Sequence, residues 1–169
     1  TRAGLLANKL DLGVVFLPLE DEQLVSKELY TEELCLAVAK QHHLAAAEAV
    51  KLDQLTEVPL ILFPEKFLVR QMVDSYSAQA GVQLQPAFEL STMDSMLQMV
   101  RLGVGATILP RSYLLQGSDP SIRTVPIVEP VPQKKVGIVY RKQTFLSTAM
   151  LAFINELIRT FSTSGTESV

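Results

Sequence analysis

Between Leu60 and Pro110 three short apolar runs alternate with two segments whose apolar residues fall at helical spacing, and nothing else in the chain narrows its fold as much. Leu60 to Phe63 (LILF) is apolar at every position and is stopped by Pro64, the pattern of a strand covered on both faces. Phe67 to Ala80 follows, with Val69, Met72, Val73, Tyr76 and Ala80 on one helical face and Gly81 as a left-handed stop. Leu84 to Leu90 predicts a strand. Ser91-Thr92 opens a second helix that carries Met93, Met96, Leu97 and Val100 on one face, with Ser91 and Asp94 as a capping box. Gly103-Val104-Gly105 then turns the chain into Ala106 to Leu109, a strand ended by Pro110, and the two glycines fit a helix stop and a close backbone approach. This β-α-β-α-β order predicts parallel strands with helices on both faces.

The flanks extend the pattern. Ala3 to Leu10 reads as the back half of a helix, and Asp11 to Phe16 (DLGVVF), closed by Pro18, as a strand buried on both faces. Leu24 to Tyr30 and Leu34 to Ala39 (LCLAVA) predict two more strands, and His42 to Glu57 a connection with a short helix anchored by Leu52 and Leu55. Ile122 to Val128 and Val136 to Tyr140 predict the last strands, across a link with Pro126, Pro130 and Pro132. Ser147 caps a final helix with Met150, Phe153, Ile154, Leu157, Ile158 and Phe161 inward, before a polar, frayed tail at 163–169. Connections near 57 and 128 divide the chain into a first lobe (1–57), a second lobe (58–127) and a return to the first lobe (128–162).

Composition decides what such a chain does not do. With 169 residues, 48% hydrophobic and 20% charged, it is globular with a sizeable core. Fifteen Lys and Arg against eighteen Asp and Glu give a net charge of −3 with no basic run, so this segment lacks the footprint of a nucleic-acid binder. No apolar stretch reaches the roughly 20 residues of a membrane span. The single cysteine, Cys35, excludes an internal disulfide and a multi-thiolate metal site; in its apolar run it reads as an inert buried thiol, and a reducing cytoplasm suits it. His42 and His43 are adjacent, so their side chains are expected to diverge, and neither an HExxH nor a G-x-S-x-G motif is present. The residues therefore point to no catalytic group, no metal and no cofactor: a binding protein, not an enzyme.

Taken in order, Leu10-Asp11-Leu12-Gly13, Pro59-Leu60-Ile61-Leu62-Phe63, the run Met99-Val100-Arg101-Leu102-Gly103-Val104-Gly105 and Ile108-Leu109-Pro110-Arg111 make a recognisable series that continues to Val139-Tyr140-Arg141-Lys142. The series resembles the effector-binding domain of LysR-type transcriptional regulators. The resemblance implies an α/β, two-lobed, periplasmic-binding-protein-like fold: parallel-rich sheets flanked by helices, lobes joined by crossing strands, and a small metabolite held in the interlobe cleft. It also implies a bacterial, cytoplasmic parent protein, a homodimer or tetramer, that touches DNA only through an N-terminal winged helix-turn-helix absent here. The chain starts at Thr1 without an initiator Met, and by that resemblance the opening strand, helix and strand of the first lobe are expected to be missing. A transport solute-binding protein of the same bilobed fold is the alternative.

Open α/β sheets bind ligands beyond the carboxyl ends of their strands, where helix N-termini aim N–H groups at anions. Two such ends are predicted here. Pro64, Lys66, Phe67 and Leu68 follow the strand at Leu60 to Phe63, with Lys66 as a cation and Phe67 as an apolar wall; Ser91, Thr92 and Met93 bring hydroxyls to the start of the next helix. Phe16 is the candidate for a facing wall. A carboxylate or other small anion suits this set, and truncating Thr92 or Lys66 is expected to weaken its binding with little effect on melting. The structural alternatives are that Ser91 only caps its helix, Lys66 is solvated and Phe16 is core. Arg70, one turn into its helix, faces either the cleft or solvent.

Overall fold

In the computed structural model residues 1–117, 119–142 and 147–164 are described, with side chains through Phe161. They form two compact units: Thr1–Glu32 with the described residues from Lys134 onward, and Glu33–Gln133.

The second unit is built around strand β2 (Leu24–Ala39), whose last six residues, 34–39, are all buried. The chain continues through β3 (Val50–Lys51), β4 (Leu60–Leu62), α2 (Leu68–Gln79), β5 (Pro86–Glu89), α3 (Met93–Arg101), β6 (Ala106–Pro110), α4 (Arg111–Gln116) and β7 (Ile122–Val128). The strands pair in the order β3-β7-β2-β6-β4-β5. Cys35 faces Leu109 on one side and Pro126 on the other, both antiparallel, so the end of β2 has no free edge. Beyond it β6, β4 and β5 are mutually parallel, as the β-α-β-α-β order predicts. Ile61, Phe63, Met96, Val100, Leu109 and Leu114 close one core face together with Cys35 and Ala37. Thr107, fully buried, donates its hydroxyl to the Ile61 carbonyl at 2.7 Å, so the polar group in this core is satisfied. Helix α2 stops at Gly81, φ +73°, where the N–H groups of Gly81 and Val82 reach the carbonyls of Ala78 and Ser77.

The first unit contains α1 (Arg2–Leu6), β1 (Leu12–Phe16), the opening half of β2, β8 (Gln133–Arg141) and α5 (Thr148–Ser164). β8 lies between β1 and β2, antiparallel to β1, with Gly13 opposite Val139 and Phe16 opposite Val136. Ser147 caps α5 as expected, accepting the Met150 N–H at 3.2 Å. Ile154 is buried with Leu29, Ile138 and Tyr140, and Met150, Leu157, Ile158 and Phe161 pack against them.

Several expectations are corrected. The lobe boundaries fall at 32/33 and 133/134, not near 57 and 128: residues 34–39 pair with β6 and β7, Val50 pairs with Ile127, and the Leu34 N–H bonds Pro132 O, so these segments belong to the second unit. The two strands expected at 24–30 and 34–39 are one, because Thr31, Glu32 and Glu33 continue the extended backbone. β1 is not buried on both faces; its partner is β8, and Val14 is 53% exposed. α1 ends at Leu6, and Phe153 is half exposed on α5, not inward. Pro110 ends β6 but also begins α4, since a proline at a helix start withholds an N–H that has no helical partner. Helix α5 runs through Ser164, and the rest of the expected frayed tail lies outside the described residues.

Gly105 makes the close approach expected of it: a Cβ there would stand 2.3 Å from the Pro59 carbonyl oxygen. Gly105→Ala should therefore cost about 1–3 kcal/mol in thermal denaturation, whereas Gly117→Ala, with open space at its Cβ, should leave the melting temperature unchanged.

Candidate functional site

β4 and β5 are neighbouring parallel strands, so the loops that follow them leave the same end of the sheet and begin α2 and α3 side by side. The two loops are bonded where they start: the Leu90 N–H donates to the Leu62 carbonyl at 3.0 Å. In the first, the Phe67 N–H closes a turn onto Pro64 O at 3.0 Å. This turn stacks the Phe67 ring on the buried Phe63 ring, centroids 4.9 Å apart and planes 22° apart.

A cavity of about 480 Å³ lies between the loops. Lys66, Phe67 and Leu68 line it from the first loop and Ser91 and Met93 from the second, with Phe63 and Val69 completing the wall. Five of the eight expected residues thus share one cavity. Its surface is largely aromatic and aliphatic; the Lys66 ammonium, 5.7 Å from the Phe67 ring centre, and the Ser91 hydroxyl are its polar groups from side chains that are both exposed. Such a wall holds an apolar body while the ammonium holds an anionic group.

The remaining expected residues fall elsewhere. Pro64 shapes the turn without lining the cavity, and Phe16 stands on β1 in the first unit, its ring 5.9 Å from the Lys134 ammonium. Thr92, not Ser91, is the helix cap: its Oγ1 accepts the Ser95 N–H at 3.3 Å and donates to Ser95 Oγ at 2.7 Å. The expected Ser91–Asp94 capping box is therefore not formed, and Asp94 instead accepts from the Tyr113 hydroxyl.

Sequence reasoning left the direction of Arg70 open, and the structure places it in a structural role at this site. It is 7% exposed and faces neither cavity nor solvent. Its Nε donates to both Asp74 oxygens, at 2.9 and 3.1 Å, and its Nη1 to Glu89 Oε1 at 2.9 Å and to the Phe63 carbonyl at 3.0 Å. Burial opposes its charge, but the bonds to Asp74 and Glu89 outweigh it and raise its pKa above the ordinary arginine value. One guanidinium therefore ties α2 to the ends of β4 and β5. The Arg70/Asp74 spacing of four on a helix was the signal available for it.

The two histidines do not diverge. His42 and His43 stack, with ring centroids 4.3 Å apart, because the chain turns into a short 3-10 helix at His43–Ala46. Among the described residues no group of three or more His, Cys, Asp or Glu could hold a metal ion, and no helix is long and apolar enough to cross a membrane.

A two-unit α/β chain with a cavity at paired strand ends defines a ligand-binding domain, and the comparisons specify which. The LysR substrate binding domain family matches residues 1–162, and the chain belongs to that family. The HTH-type transcriptional regulator YwbI of Bacillus subtilis is 31% identical over 152 residues, which are 89% of this chain and 50% of that protein. The chain thus spans about half the length of this curated relative. Two solved domains share the fold: the regulatory domain of Synechocystis CcmR in complex with 2-PG (TM-score 0.81, 19% identity, 95% of this chain and 77% of that one) and the effector-binding domain of QuiR in complex with shikimate (TM-score 0.77, 22% identity, 96% and 77%).

The capping geometry revises what truncation should do. Thr92→Ala should cost about 1 kcal/mol and lower the melting temperature, whereas Ser91→Ala should not. Arg70→Met strips a charged donor from two carboxylates and a buried carbonyl, and should cost about 2 kcal/mol by chemical denaturation.

Proposed function

We propose that this chain is the effector-sensing domain of a cytoplasmic bacterial LysR-type transcription regulator, and that it binds a small carboxylate or similar anion with an apolar body between the loops at 63–69 and 91–93. The observation that carries this reading is the convergence of two loops, from neighbouring parallel strands, on one cavity with an apolar wall and a single ammonium. Shikimate, held by the fold relative QuiR, is a small carboxylate. Family membership and a regulator as relative favour this reading over a transport solute-binding protein. No catalytic step is part of it.

In the parent protein, a homodimer or tetramer on this reading, the effector acts by shifting a population. It stabilises whichever domain arrangement it binds better, by no more than its difference in affinity for the two, and a DNA-binding domain carries the change to DNA.

A thermal-shift and calorimetric screen against small carboxylates, amino acids and inorganic anions tests this. For the ligand that stabilises the domain, Lys66→Ala should weaken binding about tenfold or more, while Lys66→Arg retains most of it. Ligands that bind Lys66→Ala and Ser91→Ala as tightly as the unaltered chain would place the site elsewhere.

A further inference from the structure

The cavity between the loops at 63–69 and 91–93 has a rim and a floor of different character. Its one ammonium, among the described residues, belongs to Lys66, and Lys66, Leu68 and Ser91 are all exposed, Leu68 by 57%. Phe63 stands at the other extreme, 5% exposed, with Phe67, Val69 and Met93 intermediate. An acid held by Lys66 therefore keeps its carboxylate at the rim and carries the opposite end of its body inward against Phe63.

That inner end is bordered by negative charge. The Phe63 carbonyl and Glu89 Oε1 accept from the same Arg70 Nη1, at 3.0 and 2.9 Å, so the Glu89 carboxylate lies close behind the Phe63 backbone. Arg70 Nε donates to both oxygens of Asp74. One guanidinium thus serves two carboxylates, and the cluster carries a formal excess of one negative charge. The whole stretch that builds the site has the same sign: residues 60–97 hold Lys66 and Arg70 against Glu65, Asp74, Glu89 and Asp94. A second carboxylate on the inner end of a ligand meets aromatic surface with this cluster behind it, and no cation of the lining is there to receive it. Burying an unpaired carboxylate is strongly unfavourable, whereas a methyl group in its place gains from the same wall.

We infer, resting on the effector site proposed above, that this site admits monocarboxylates whose far end is uncharged and apolar, and rejects dicarboxylates whose second charge lies opposite the first. The carboxylate points outward to Lys66 and the apolar end inward to Phe63. Charge at the far end is the feature discriminated, because a methyl and a carboxylate there differ little in size.

Calorimetric titration of the chain with para-toluate, terephthalate and phthalate separates charge from shape. Para-toluate and terephthalate differ only in a methyl or a carboxylate opposite the acid group; in phthalate the second carboxylate adjoins the first and stays at the rim. Para-toluate should bind about tenfold or more tightly than terephthalate, with phthalate between them. Lys66→Ala should weaken para-toluate by about tenfold. Terephthalate bound nearly as tightly as para-toluate, or phthalate outside the interval between the two, would overturn the selectivity; if Lys66→Ala still weakens para-toluate in that case, the effector site stands. Binding unaltered by Lys66→Ala, or no binding by any of these acids, would overturn the site and its selectivity together.

Discussion

Everything in the larger unit follows from burying six consecutive strand residues, Leu34 to Ala39, on both faces and both edges. A strand end in that position cannot leave backbone donors unpaired, so β6 and β7 must flank it. Both do so antiparallel, and β6 then seeds the parallel block with β4 and β5. Because that block is parallel, its strands end at one edge, and the loops to α2 and α3 open there together. The candidate site is a consequence of strand direction before it is a consequence of any side chain.

Within that edge, two cations divide the work. Arg70 is buried, and its bonds hold the ends of β4 and β5 against α2; Lys66 is exposed and lies beside an aromatic wall. The Nε and Nη1 donors of this guanidinium are spent on Asp74, Glu89 and the Phe63 carbonyl, while the Lys66 ammonium has no carboxylate partner among the described residues. The stacked Phe63 and Phe67 rings lie next to this tie, since the Phe63 carbonyl is one of the acceptors of Arg70. The position of the apolar wall and the position of the clamp are therefore one structural fact.

Much of this was legible from residues alone, and the failures have physical causes. An unbroken apolar run located Leu60–Leu62, because a strand covered on both faces tolerates no polar position. Ser147 and Gly81 marked helix ends by chemistry peculiar to caps. Adjacent hydroxyls defeated the assignment at Ser91 and Thr92, where only backbone conformation decides which is the cap. Thr31 to Glu33 read as a break although extended backbone accepts polar residues where a strand is partly exposed, and that error also displaced the lobe boundary. Arg70 and Glu89 meet across elements distant in sequence, and only the placement of β5 beside β4 brings them together.

Amide hydrogen exchange on the chain, with and without the carboxylate that most raises its melting temperature, addresses the central claim directly. Protection confined to amides of 63–69 and 91–95 is the predicted result. Protection that leaves both loops unchanged and appears elsewhere would contradict the site.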